Sequence, residues 1–410
     1  MAACGPSSGA GGDGGTDDCV NRCTSFGWEK CVGPGEWEAP IACDEGEVCI
    51  PDLGCQVCYP GTRYCAGPDG NEVWHCNENG DGGEFAESCE GENVCSNGVC
   101  KTPCERAADL PSNVGCHFWA VDLDNEAAVI TLGQAQLEND AAAQQYAVAV
   151  ANNNDAPVVV RVYKNIARVG QPVNEELVAM VTIQPQDLEQ IDLPQREVDG
   201  TMGQNGTYAV GSGSHTFVSP HAYRIESTGP VVAYQFNPIV QQFSNDASIL
   251  IPIQALGKQY YVLGWPTANP CGPPPGDPLY QESIPDRTSI TIIGVEDDTL
   301  VTVIPTHPIV GSGGDSGIVI PATAAGQPLQ FTINKFDVAN LQSDQPQVSI
   351  TQCFSMLDRD GDFTGSVVQA SRNVAVFSSL ERGAGLGGAT PPDPPGWDGE
   401  TCCTDHLEQQ

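Results

Sequence analysis

Residues 290–304 read ITIIGVEDDTLVTVI, and residues 148–162 read VAVANNNDAPVVVRV. Each is a run of β-branched and small apolar residues, then a cluster of Asn, Asp or Glu, then a second apolar run. Val, Ile and Thr suit a pleated surface, while Asn and Asp break a strand by bonding nearby backbone. Each stretch therefore predicts two strands joined by a polar turn, a hairpin. Two further matches follow in the same order. VTIQPQDLEQIDL at 181–193 aligns with FTINKFDVANLQS at 331–343, and RIESTGPVVAYQF at 224–236 aligns with VVQASRNVAVFSS at 367–379. The offsets of 142, 150 and 143 residues are nearly constant. One match between β-strands arises easily by chance, but three in register do not. They predict two tandem antiparallel β-sandwich modules, at about 146–236 and 288–380.

The same texture extends outward. FWAVDLD at 118–124, YAVAVAN at 146–152, PVVAYQF at 230–236 and NVAVFSS at 373–379 are rich in Val, Ala, Tyr and Phe and bounded by Asn, Asp, Gly and Pro. Helical periodicity is nearly absent, and residues 134–145 are the single stretch predicted as helix. The expected class is mainly β: N-terminal disulfide-rich repeats, then tandem β-sandwich modules within 105–410.

Cysteine sets the N-terminal half of that reading. The chain holds 19, of which 15 lie in the first 116 residues. Secreted proteins use such density to staple segments too short to build a core, whereas a cytosolic chain rarely carries it. Residues 19–104 read as two similar units. CDEGEVC at 43–49 matches CEGENVC at 89–95, and CVGPGEW at 31–37 matches CAGPDGNEVW at 65–74. Cys19, Cys23, Cys31, Cys43, Cys49 and Cys55 form one group of six. Cys58, Cys65, Cys76, Cys89, Cys95 and Cys100 form the other, with Cys104 and Cys116 at the junction. Six cysteines allow 15 connectivities, and sequence does not choose among them. Cys271, Cys353, Cys402 and Cys403 complete the disulfide candidates. The rival reading is zinc, but Cys55-Gln-Val-Cys58 is a lone Cys-x2-Cys and a weak metal signal.

Cys4 stands apart in Ala2-Ala3-Cys4-Gly5, the pattern that ends a bacterial lipoprotein signal. Setting it aside leaves an even count, so Cys4 is the candidate lipidation site. Residues 5–18, GPSSGAGGDGGTDD, cannot bury enough apolar surface to order themselves and read as a tether, so 1–18 form an anchor remnant and linker.

Composition narrows the function classes. There are 53 acidic against 16 basic residues, a net charge of −37. A nucleic acid would be repelled and no basic stripe is present, which excludes that partner class. Contact with an anionic membrane is disfavoured for the same reason, so the expected membrane contact runs only through a lipid anchor. No run of 18 apolar residues occurs.

Candidate chemistry is sparse. Asp358, Asp360 and Asp362 crowd three carboxylates into five residues, a candidate weak calcium loop. Phe363 and Gln369 stand where an EF-hand needs Gly and Glu, so an Asp-rich turn is the plainer reading. Cys402, Cys403, Asp405 and His406 are sequence neighbours, and catalysis needs such groups to converge in space, so structural use is favoured. His75, His117, His215, His221 and His307 lack ligand spacing. GSGSH at 211–215 reads as a turn. Asn205-Gly-Thr207 is a glycosylation triplet, and Tyr260-Tyr261 with Trp265 read as packing before a sugar platform. No catalytic residue and no cofactor other than calcium is expected.

FWAVDLDN at 118–125, AYQFNP at 233–238, FSNDASILIP at 243–252, TSITIIGVEDDTLVTV at 288–303, FTGSVVQASRNVAVFSS at 363–379 and DHLEQQ at 405–410 resemble the N-terminal domain of IgGFc-binding proteins. The resemblance covers about 118–410. With the Cys-rich repeats and Cys4, the layout is similar to bacterial lipoproteins of the myxobacterial type. In that family a segment like CCTDHLEQQ leads into further strands, so the chain is expected to be cut short at its C-terminus as well as its signal end. The resemblance implies a binding role without naming a ligand. The expected function is a non-catalytic, extracellular or outer-membrane-surface adhesion protein recognising a protein or glycan. The alternative is a structural component of an envelope, matrix or stalk.

Overall fold

The computed structural model describes residues 19–125, 127–132, 135–142, 144–201, 215–240, 246–265, 287–344, 361–383 and 404–410. Two compact units follow each other, the first ending at Arg106 and the second beginning at Ala107.

The first unit is a string of short hairpins. Arg22–Thr24 pairs with Gly27–Glu29, and Val48–Ile50 with Gly54–Gln56; Arg63–Ala66, Glu72–Cys76 and Gly83–Ser88 make a three-stranded sheet; Val94–Ser96 pairs with Val99–Lys101. The last of these turns on Asn97-Gly98, both at positive φ (51° and 73°), as a two-residue hairpin requires. A side chain at Gly98 would also meet the Arg63 carbonyl oxygen at 2.4 Å. Among the described residues of this unit, the buried apolar side chains are Cys58, Val73 and Cys76. Little hydrophobic free energy is available, and covalent bonds take its place.

Six disulfides do so: Cys19–Cys31, Cys23–Cys49, Cys43–Cys55, Cys58–Cys76, Cys65–Cys95 and Cys89–Cys100. Each pair stays within one group of six, and both groups connect first to third, second to fifth and fourth to sixth. This order corrects one alignment. Cys65 is the second cysteine of its group and corresponds to Cys23, so matching CVGPGEW to CAGPDGNEVW was out of register. Cys55 and Cys58 are each spent in a different disulfide, which removes that pair as a zinc knuckle.

The second unit is built from two large antiparallel sheets. The first holds β1 (Gly115–Ala120), β2 (Ala147–Asn152), β3 (Val158–Asn165), β4 (Glu175–Ile183), β5 (Asp187–Asp192), β6 (Tyr223–Asn237) and β7 (Asp246–Ile249). The second holds β8 (Gly257–Tyr261), β9 (Thr288–Gly294), β10 (Thr299–Ile304), β11 (Leu329–Ile333), β12 (Val338–Gln342), β13 (Val367–Gly383) and β14 (Thr404–Gln409). The order is β4-β3-β6-β2-β5 in the first and β11-β10-β13-β9-β12 in the second, with β1 and β7 on β6, and β8 and β14 on β13. Every strand of the first sheet thus has its counterpart seven numbers on. The second sheet adds one strand, Phe217–Ser219, on the edge of β12.

The correspondence extends to register. Val148 pairs Gln235 and Ile290 pairs Ser378; Ala149 pairs Gln190 and Thr291 pairs Asn340. After the polar turn the register slips by one residue, because Val158 opposite Ile183 corresponds to Thr299 opposite Ile333. The second connection is one residue shorter. Burial follows this corrected offset: Val158, Val160 and Val162 face the core, as do Thr299, Val301 and Val303.

The hairpins expected at 148–162 and 290–304 do not form. Both β2 and β3 are antiparallel to β6, so they run the same way along it: β3 pairs residues 223–227 and β2 pairs 232–236. β9 and β10 divide β13 in the same manner. The asparagines turn the chain locally, Asn152 Oδ1 accepting the Asn154 N–H at 2.9 Å, but they also bond distant carbonyls, so the turn leads away from β2 and does not close a hairpin. Buried Asn152 Nδ2 donates to the Ala156, Ile183 and Gln184 oxygens, and Asn154 Nδ2 donates to the Pro230 oxygen. The expected helix at 134–145 is also overturned, since Ala135–Asp140 is a strand paired with Ala127–Leu132.

The sheets curl and pack as a sandwich. All seven residues of β9 and all five of β12 are buried, so these strands are covered on both faces. Ile290, Ile292, Leu341, Val374 and Val376 fill the second sheet's own core. Ile293, Phe336, Val338, Ala375 and Phe377 enter the core of the first sheet, with Val148, Val160, Ile225 and Trp119. Each of these apart from Ala375 contributes roughly 1.5–3 kcal/mol by leaving water.

Candidate binding site

Where the second sheet's connections meet β1 and β6, a cleft of about 590 Å³ opens. Its wall on the first sheet is His117 and Trp119 of β1 and Arg224 of β6. The opposite wall is Val295–Asp298 between β9 and β10, Lys335 in the β11–β12 turn, and Arg372 midway along β13. Trp119 is 2% exposed and fixed edge-on against Phe336, ring centroids 4.8 Å apart, so the floor is rigid.

The cleft gathers cations in a chain that has few. Arg224 lies over the Tyr163 ring at 4.5 Å and pairs with Glu175 and Glu226; Lys335 Nζ donates to Glu175 at 2.8 Å; Arg372 donates to Glu296 at 3.0 Å. Burial alone would raise the Glu175 carboxyl, but Lys335 and Arg224 outweigh it and hold that carboxyl below the usual range. Asp297 accepts the Lys335 backbone N–H at 3.1 Å. The charges are thus held in place before a ligand arrives. Such order favours specificity and encounter rate more than raw affinity.

A second cluster is buried. Asp124, Glu197 and Asp199 are 5%, 1% and 8% exposed, and one carboxylate oxygen from each lies within 4.8 Å of the others. Burial first, then the charges of Glu381, Asp199 and Glu197, push the Asp124 carboxyl well above its ordinary range. Burial likewise raises Asp199, despite hydrogen bonds from the Thr201 amide and hydroxyl. Gln342, fully buried on β12, donates through Nε2 to Asp124 Oδ2. A hydrogen bond with the Gln342 side chain favours protonated His215, but burial and the charge of Arg287 outweigh it and depress His215 to about 4. These are the described residues whose chemistry fits a hard cation. Sequence reading passed over them because Asp124 sits inside an apolar strand pattern, FWAVDLDN. A carboxylate there was itself the available signal.

Near this cluster His221 is 3% exposed, and its Nδ1–H donates to the Glu197 carbonyl at 2.9 Å. Burial, then the charge of Arg196, lowers its pKa to about 3 against 6.5 unfolded. The unfolded chain therefore binds the extra proton, so this contribution is complete above pH 6.5 and is lost as pH falls towards 3. Going from pH 7 to pH 5 is expected to cost the wild type about 2 kcal/mol more than His221→Gln. Denaturant midpoints of both proteins across that range measure it, and parallel curves would refute it.

The sequence-predicted residues fare differently. Cys104 lies in the short helix Pro103–Ala108 and Cys116 in β1, and both are disulfide-bonded. Asp362 caps a turn, its Oδ1 accepting the Thr364 N–H at 2.8 Å, while Asp358 and Asp360 lie outside the described residues. So do Cys4, Cys271, Cys353, Cys402, Cys403, Asn205 and Thr207. Tyr260 packs on the second core and donates its hydroxyl to the Val374 carbonyl at 2.6 Å; Tyr261 next to it is 70% exposed. The pair faces opposite ways and makes no platform. No helix among the described residues is long and apolar enough to cross a membrane.

Disulfide-stapled hairpins followed by curled β-sheets fit a protein of an oxidising, extracellular setting. Residues 246–410 match the protein family described as IgGFc binding protein, so this part of the chain is similar to that family of binding domains. The match takes in β7 and β8 to β14; it is narrower than the resemblance over 118–410, and the other strands of the first sheet and Phe217–Ser219 lie outside it. No curated protein and no solved structure matches the chain.

Proposed function

We propose that the chain is a non-catalytic adhesion protein of the cell surface, tethered through lipidated Cys4, that recognises a protein or glycan in the cleft between β1 and the second sheet. The observation behind this reading is the set of ordered charges around Trp119, together with the binding character of the matched family. The acidic exterior favours basic partners at long range, while the cleft supplies the cations that the exterior lacks. Lys335→Gln with Arg372→Gln removes two cations of the cleft without setting new like charges beside Glu175 and Glu296. Wild type is expected to retain a partner from envelope extracts or a glycan array, and the double variant to bind at least tenfold more weakly while losing no more than about 1–2 kcal/mol of stability with its two ion pairs. Equal binding by both proteins would place recognition elsewhere. Ordered self-assembly without a partner would favour the structural role.

A further inference from the structure

We propose that the chain associates head to tail with further copies of itself, repeating between molecules the contact that joins its two sheets. The internal contact has two sides. Trp119 and Val121 of the first sheet share one core with Ile293, Phe336 and Val338 of the second, and none is more than 2% exposed. Because the sheets share strand order and register, each side has a counterpart on the other sheet. Both counterparts face water.

The first side recurs on β8. Trp119 pairs Arg224 as Tyr261 pairs Val367; Gly115 pairs Val231 as Gly257 pairs Val374, with a bulge after the glycine in both. Tyr261 therefore stands where Trp119 does, and Leu263 where Val121 does, yet they are 70% and 59% exposed. Trp119, Arg224 and Tyr163 lie in one row across the first sheet; Tyr261, Val367 and Ile304 form the matching row, with valine in place of arginine. This is an apolar face in water on a chain of net charge −37. Contiguous exposed apolar surface of this kind marks an interaction site.

The second side recurs on β5. Ala151 pairs Leu188 as Ile293 pairs Val338, so Leu188 takes the place of Val338. Val338 is fully buried, whereas Leu188 is 55% exposed. Gln186 takes the place of Phe336 in the matching turn and is exposed too. Phe217–Ser219 covers the edge of β12 at Val338 to Asn340, and among the described residues no strand pairs the matching edge of β5.

One free face thus repeats the first half of a contact that the fold already makes, and the other repeats its second half. A second copy supplies the complement of each, with Tyr261 and Leu263 of one molecule lying on Leu188 of the next. The two faces differ, so the contact is heterologous and continues beyond a dimer. Gln186 in place of Phe336, and repulsion between acidic chains, make it weaker than the internal contact. Salt screens that repulsion.

This association needs no other partner, so it stands or falls apart from recognition in the cleft. Sedimentation of the full chain in about 0.5 M sodium chloride, where long-range repulsion is screened, is the test. The mass is expected to rise past a dimer as the protein approaches about 1 mM, the weak limit of specific association. Leu188→Glu and Tyr261→Glu should each weaken association at least tenfold, and unchanged melting temperatures confirm that these exposed sites tolerate the change. Leu263→Ser, a neutral substitution on the same face as Tyr261, should weaken it in the same direction. Mixed in equal amounts, the two glutamate variants should form a dimer and nothing larger, since each retains the face that the other lacks. A monomer at every concentration would overturn the proposal. So would association that survives both substitutions, wild-type growth that stops at a dimer, or a mixture that stays monomeric.

Discussion

Reduction of the disulfides is expected to unfold residues 19–101 completely while the two large sheets keep their protection. The hairpin unit buries three apolar side chains among its described residues, and strands of two to six residues cannot hold themselves in water. Each disulfide restricts the unfolded chain and contributes roughly 2–4 kcal/mol, more for longer loops. Cys23–Cys49 and Cys65–Cys95 span 26 and 30 residues, against 11 to 18 for the other four. Removing Cys65–Cys95 by a double serine substitution is therefore expected to unfold the second group of hairpins, at a cost of about 3–4 kcal/mol. Hydrogen exchange read by mass spectrometry, with and without reductant, resolves the two regions. Protection that survives full reduction in 58–100 would mean that another force holds the unit.

Much of this architecture was legible in the sequence. Paired apolar runs, polar breaks and near-constant offsets pointed to two similar β assemblies, and strand order and register follow the alignments closely. What sequence concealed was the partner of each strand. A polar cluster between two strands signals a break in pairing, and Asn152 and Asn154 make such a break with a local turn and with bonds to carbonyls far along the chain. Nothing local separates that use from a hairpin turn. The helix at 134–145 failed for a related reason: Ala, Gln and Glu favour helices in isolation, yet pairing with Ala127–Leu132 decides the matter. The cleft was illegible because Trp119, Arg224, Lys335 and Arg372 lie far apart in the chain and meet only through packing of one sheet on the other.

Phe336 tests that packing. It occupies the β11–β12 turn at φ 74°, a conformation costly for a bulky side chain, and its counterpart Gln186 in the β4–β5 turn has φ 59°. The same backbone serves two purposes. Gln186 is exposed and its amide donates to the Asn153 carbonyl at 2.9 Å. Phe336 is fully buried against Trp119, inside the first sheet's core. The strain persists there because the surrounding contacts outweigh it. Phe336→Ala keeps the Cβ, and so the strain, while removing the ring; a cost of about 3–5 kcal/mol is expected. Phe336→Gly leaves the same cavity but relieves the backbone, so it should be about 1 kcal/mol more stable than the alanine variant, reversing the usual order of Ala over Gly in β structure. Gln186→Gly should fall within about 1 kcal/mol of wild type, because relief and the lost hydrogen bond nearly cancel. Urea denaturation of the three variants measures all of this. If Phe336→Ala costs under about 1 kcal/mol, the ring does not join the two sheets, and the floor of the cleft is not the fixed Trp119–Phe336 pair on which recognition is proposed to rest.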